Sequence, residues 1–114
     1  MIDVTASAIH TALDGLAARQ RVIAENVSNL ETPGFLAGRV DFEDSLKAAL
    51  AEGDAGRAAV SSRRTTDPAG ANGNNVKLDD EVVSLTDTGL RYQLMVQAMN
   101  TKFGLLRTAI GGGH

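Results

Sequence analysis

Apolar residues recur at every seventh position from the start of the chain. Ile2, Ile9, Leu16, Ile23 and Leu30 form one row. Ala6, Leu13 and Val27 form a second row four residues on, with Gln20 its one polar member. This i, i+4, i+7 spacing gathers both rows on one face of a helix. The pattern predicts an amphipathic helix ending near Leu30, because Pro33 drives Thr32 out of the α region. Asp3, Thr5 or Ser7 is available as N-cap. Gly15 lies off the stripe and costs the helix about 1 kcal/mol relative to alanine. Pro33-Gly34 fits the central positions of a type II turn.

The pattern returns more strongly near the other end. Leu78, Leu85, Tyr92, Met99 and Leu106 are seven apart, and Val82, Gly89, Val96, Phe103 and Ile110 form the accompanying row. Asp79, Asp80 and Glu81 open this segment and Lys102 and Arg107 lie near its end, an order that complements the helix dipole. Asp79 is the candidate N-cap, and Gly111-Gly112-Gly113 ends the pattern. At a rise of about 1.5 Å per residue, the second helix is a rod of about 48 Å. Gly89 on its stripe offers close approach to a neighbouring backbone, or is simply a tolerated defect.

The intervening chain is of different material. Phe42, Leu46, Ala49 and Leu50 predict a short helix at about residues 42–52, capped by Asp41 and stopped by Gly53. Residues 54–75 are polar and punctuated by Asp67-Pro68 and by Ala71-Asn72-Gly73-Asn74-Asn75. Val60 is the centre of a brief extended piece. An insert this long without regular structure is uncommon in a compact domain and points to a binding surface, or to a segment mobile until held. The expected fold is therefore all-α. Two long terminal helices pair as an antiparallel coiled coil, with a short helix and a long irregular segment between them. One structural unit results: residues 1–33 are an assembly helix and turn, 34–77 a connecting segment, and 78–114 a second assembly helix.

Composition sharpens this. Of 114 residues, 43% are hydrophobic, but Trp is absent and Tyr92 with three Phe are the only aromatics. Such a chain builds only a thin core of its own. The two stripes leave much of each other in water, which points to other chains as their partners. A net charge of -3 argues against a nucleic-acid footprint, and Arg63-Arg64 is too short to form a basic patch. Without cysteine there is neither a disulfide framework nor a cysteine metal site. No apolar run approaches the roughly 18 residues of a membrane span, and residues 1–10 lack the basic start of a secretory signal peptide.

Candidate chemistry is sparse. Ser61-Ser62 and Thr65-Thr66 have no histidine placed to activate them. Glu43-Asp44 and Asp79-Asp80-Glu81 sit at helix starts, where the dipole accounts for them. His10 and His114 have no partner at ligand spacing, so no metal is expected. Asn26-Val27-Ser28 matches a glycosylation sequon, read as accidental because it falls inside a helix.

One stretch carries a resemblance. Ala24-Glu25-Asn26-Val27-Ser28-Asn29, followed by Thr32-Pro33-Gly34-Phe35, resembles the N-terminal signature of bacterial flagellar rod and hook proteins. Asp41-Phe42, Asn72-Gly73-Asn74-Asn75-Val76-Lys77-Leu78-Asp79 and Leu90-Arg91-Tyr92-Gln93 extend it. So do Lys102-Phe103 and Leu105-Leu106-Arg107-Thr108-Ala109-Ile110. These stretches look like the flagellar basal-body rod proteins, and most like the proximal member. Ser28 stands where alanine is usual and Phe35 where tyrosine is commoner, so the aromatic serves packing rather than a hydroxyl.

The resemblance implies a structural subunit and no enzyme, polymerising through its terminal helices into the drive shaft between the membrane ring and the distal rod. Implied partners are copies of the chain, other flagellar rod proteins, a membrane-ring adaptor at the rod base and the flagellar type III export apparatus. Nucleic acid, small-molecule substrates and cofactors are not implied. The implied location is the basal-body rod in the periplasm, reached without a cleaved signal peptide. Asn26, Asn29, Thr32, Pro33, Gly34 and Phe35 are the family motif and turn. The expected assembly interface is Ile9, Leu13, Leu16, Ile23, Val27 and Leu30 on the first helix. On the second it is Leu85, Tyr92, Val96, Met99, Phe103, Leu106 and Ile110. Asn26 and Asn29 are read either as helix C-caps that tolerate left-handed backbone, or as amides that fasten the turn to a neighbouring helix. The alternative function is a soluble helical adaptor or export chaperone that binds a partner helix.

Overall fold

Both periodic stripes fold as helices. A computed structural model describes residues 4–111, apart from the side chains of Ala55, Leu106 and Ala109. Helix α1 runs Val4–Ser28 and helix α3 runs Leu78–Ile110. Between them lie strand β1 (Gly38–Asp41), helix α2 (Glu43–Ala51), a single 3-10 turn (Ala55–Arg57) and strand β2 (Ser61–Arg64), with α2 following β1 directly. With 33 residues, α3 is about 50 Å long. The molecule measures 65 × 28 × 15 Å. Its radius of gyration is 17.8 Å, against about 13 Å for a compact chain of this length.

The connecting segment is more regular than its sequence suggests. β1 and β2 pair antiparallel, with Gly38 facing Arg64 and Asp41 facing Ser61. Neither strand shows the apolar alternation that marks a half-buried strand. Gly-Arg-Val-Asp contributes one core side chain, Val40, and Ser-Ser-Arg-Arg contributes none. Val60 falls one residue short of β2. Residues 54–75, expected to be irregular, bury Thr65, Asn74 and Asn75.

Helix ends also differ from expectation. Glu81 N–H donates to Lys77 O at 3.0 Å, so α3 opens before Asp79. Asp79 lies inside the first turn, its Oδ1 accepting from Asp80 N–H. Asp41 does not cap α2. It belongs to β1, and Phe42 occupies the N-cap position with no side-chain cap bond. Thr5 and Ser7 lie within α1, and Asp3 lies outside the described residues. Gly53 does end α2: at φ 75° it donates to Leu50 O, and Asp54 donates to Ala49 O. That is the paired bonding of a Schellman stop.

The core is small and centred on Phe42. Ala12, Leu16, Val40 and Phe42 form a buried cluster against which Val22, Leu46, Tyr92 and Met95 pack. Gly15 makes room for it. A Cβ there would lie 2.4 Å from the Phe42 ring. Gly15 is therefore buried in the packed face, not off it, and its helix-propensity cost is offset by seating the aromatic. Arg19 covers the same ring from 5.0 Å. The buried face of α1 includes Ala6, Ile9, Ala12, Leu16, Ile23 and Asn26. It drifts off the heptad rows because a straight helix turns every 3.6 residues.

Candidate assembly interface

The turn after α1 forms as its residues require. Phe35 N–H donates to Thr32 O at 3.2 Å, and Gly34 has φ 72°. A hydrogen bond from i+3 to i with positive φ at i+2 is a type II turn, and glycine accepts that φ without strain. The segment before α3 then clasps this turn. Gly34 N–H donates to Asn72 O at 2.9 Å and Asn75 N–H to Phe35 O at 3.2 Å. Asn74 Nδ2 donates to both Asn29 O and Thr32 O at 2.8 Å. The motif at 26–35 and the stretch at 72–79 are thus two halves of one corner.

Two asparagine amides complete it by standing in for backbone. Gly38 N–H donates to Asn26 Oδ1 at 2.7 Å, and Asn26 Nδ2 donates back to Gly38 O at 3.1 Å. The side chain thereby pairs the outer edge of β1 as a neighbouring strand would. Asn75 does the same at the end of the ladder. Ala37 N–H donates to its Oδ1 at 2.7 Å, and its Nδ2 donates to Thr65 O at 3.3 Å and Asp67 O at 3.1 Å. Asn26 is fully buried, which also keeps its sequon from any modifying enzyme.

Glu81 links this corner to α3. Its carboxylate accepts from Asn26 Nδ2 at 3.2 Å on both oxygens and from Arg39 at 3.1 Å, and it is only 2% exposed. An acid so placed is partnered rather than left to the helix dipole. Sequence reasoning grouped Glu81 with its exposed neighbours Asp79 and Asp80. One signal could have separated it: Glu81 lies about three and four helical turns before Tyr92 and Met95, on the face that packs against the core, whereas Asp80 is turned away from it. Asn29, by contrast, acts locally. Its Nδ2 donates to Glu25 O and its Oδ1 accepts from Thr32 Oγ1. No non-glycine residue described has positive φ, so neither asparagine is a left-handed cap.

Arginines brace the periphery. Arg64 lies over the Phe35 ring at 5.0 Å and donates to Glu25 and to Leu36 O. Arg19 makes two bonds to Glu43, at 2.7 and 2.8 Å. Those bonds hold the Glu43 carboxyl below its ordinary range and raise the guanidinium of Arg19 further.

No protein-family model matches the chain. Curated relatives do. The flagellar basal body rod protein FlgB of Bacillus subtilis is 30% identical over 92% of each chain. The chain belongs to the FlgB family of flagellar basal body rod proteins. The Borreliella burgdorferi relative of the same name is 31% identical over 75% of this chain and 80% of its own. That of Salmonella typhimurium is 28% identical over 90% of each. Membership in this family makes the chain a structural rod protein, not an enzyme.

The helix faces of this FlgB-family chain are unevenly covered. On α1, Ile9, Leu16 and Ile23 are buried and Val27 is exposed; Leu13, and Leu30 just past the helix, are half-buried. Val27 is displaced because Asn26 takes the inward position at that level. On α3, Tyr92 and Met99 are half-buried, whereas Leu85, Val96, Phe103 and Ile110 are exposed. The Leu106 side chain lies outside the described residues. Leu90, Leu94 and Leu105 are exposed as well, so apolar surface continues around α3 beyond the expected row. Gly89 faces open space.

Proposed function

We propose that the chain is a subunit of the proximal flagellar rod that polymerises through its terminal helices. α1 and α3 form an antiparallel coiled-coil pair: Asn26 meets Glu81 near one end, and Ala12 and Leu16 share a cluster with Tyr92 and Met95 further along. Leu85, Val96, Phe103 and Ile110 then meet neighbouring subunits. Partners are further copies, other rod proteins, an adaptor of the membrane ring and the flagellar type III export apparatus. The location is the rod in the periplasm, reached without a cleaved signal peptide.

The observation that carries this reading is the apolar surface of α3 left in water. The chain exposes 7408 Å², where a compact monomer of 11.9 kDa exposes about 5,950 Å². The excess exceeds the roughly 800 Å² that each partner buries in an ordinary stable interface. The test uses Leu85→Asp and Phe103→Asp. Both side chains are about half exposed in the free subunit, so its stability should fall by only about 1–2 kcal/mol. Rod assembly, scored by basal-body isolation and swimming, should be lost because assembly buries an unpaired charge. Normal swimming by both variants would refute the assignment of this face.

A further inference from the structure

The two strands finish their outer edges differently. Thr65 N–H donates to Ala37 O at 2.8 Å, and the register runs on from Gly38 facing Arg64. Facing residues of an antiparallel pair alternate between bonded and non-bonded positions. Ser61 and Arg63 therefore turn their backbone groups toward β1, and Ser62 and Arg64 turn theirs away. The matching outward groups of β1 are taken, both of Gly38 by Asn26 and Val40 O by Arg19 Nη2 at 2.7 Å. Nothing among the described residues takes those of Ser62 and Arg64, and all four residues of β2 are exposed.

Arg21, a cation unpaired among the described residues, stands beside Ser62 of that edge. Three adjoining hollows of about 230 to 460 Å³ share Val22 as a wall. Together they are lined by Arg19, Arg21, Arg39, Arg63 and Arg64; all but Arg21 are ion-paired, with Glu43, Glu81, Asp41 and Glu25. Arg21 has no ion-pair partner among the described residues. The chain as a whole carries -3, so a surplus arginine runs against the overall charge. An open strand edge selects an extended partner, because a helix has already satisfied its own backbone. Arg21, unpaired and lining the same hollow as Ser62, selects its charge. It also opposes pairing with the same edge of a second copy, which would set arginine near arginine.

We propose that the free edge of β2 takes an extended, acidic segment of a partner protein as a third strand. Its main chain bonds to Ser62 and Arg64, and its carboxylates lie against Arg21 and the β2 arginines. This goes beyond helix-driven assembly, since it concerns the connecting segment alone.

The test titrates the full chain, labelled with nitrogen-15, with a hexapeptide alternating valine and glutamate. Slowed amide exchange at Ser62 and Arg64 supports the proposal, together with binding at least about tenfold tighter than the valine–lysine counterpart. Ser62→Pro removes the outward N–H and should weaken binding about tenfold. Arg21→Glu alters only an exposed, unpaired side chain and should weaken it about threefold or more. Equal binding of the lysine peptide, or protection confined to other residues, overturns the proposal. So does binding to anionic phosphatidylglycerol vesicles without peptide binding. A second measurement uses the assembled protein. A photo-cross-linker at position 62 in isolated basal bodies should join an acidic, non-helical segment, and a cross-link to a helix or to a basic segment would refute the idea.

Discussion

Replacing Asn26 with alanine tests whether the corner is held by amides rather than by packing. The substitution removes four hydrogen bonds seen in the structure, two to Gly38 and two to the Glu81 carboxylate. Gly38 is buried, so its N–H is left without partner or water, whereas its C=O keeps Arg39 Nη1 at 2.9 Å. Such an orphan costs about 1–3 kcal/mol. Alanine is the better helix former, so the backbone of α1 gives back about 0.5 kcal/mol. The expected loss is about 2–3 kcal/mol, a large share of the stability of any small domain. Urea unfolding of the full chain, followed by circular dichroism, measures it.

Two controls isolate the cause. Val27→Ala changes the exposed neighbour on the same turn and should cost less than about 1 kcal/mol. A double-mutant cycle of Asn26→Ala with Glu81→Ala should show coupling of at least about 1 kcal/mol, because the two side chains touch. A loss at Asn26 no larger than at Val27, or additivity in the cycle, would refute the reasoning.

Gly15→Ala should destabilise by about 1–3 kcal/mol although alanine is the better helix former, because its Cβ enters the Phe42 ring; urea midpoints decide it. Thr88→Val should be neutral or stabilise by up to about 1 kcal/mol, since the buried Thr88 hydroxyl has no hydrogen-bond partner among the described residues, and thermal melts would register the gain. The Arg19–Glu43 pair gives a pH signature. The folded-state value of Glu43 is lowered from 4.5, so its contribution is full above that pH and fades as pH falls through the lower folded value. Glu43→Gln should flatten this part of the stability–pH curve, by a small amount because the pair is partly solvent-screened.

Reading the sequence recovered the two long helices because each carries its own evidence. A stripe of seven-residue spacing over 25 or 33 residues is a local signal strong enough to outvote its exceptions. The turn was legible for a similar reason, since Pro33 and Gly34 restrict their own dihedrals. Even the break at Gly53 was readable. What these have in common is that the residues forming the structure are also the residues that announce it.

The sheet fails that condition. β1 is held on one side by Asn26 and Arg19 and on the other by β2, with Asn75 closing the ladder from 38 residues further along. None of these partners is near β1 in sequence, and none is apolar. Periodicity is blind to them, because a side-chain amide that replaces a backbone neighbour leaves no alternating pattern behind. For the same reason Asn26 could be read either as a cap or as an amide that fastens the turn. An amide both donates and accepts, so only its setting tells a helix end from a strand edge. Asn26 and Asn75 each need both functions at once, which neither Asp nor Ala can supply. The stretch from Asn26 to Phe35 and the Asn-rich stretch before α3 therefore constrain each other, although the first seemed complete alone. Together they set where α1 and α3 stand relative to one another, and hence which face of α3 remains open.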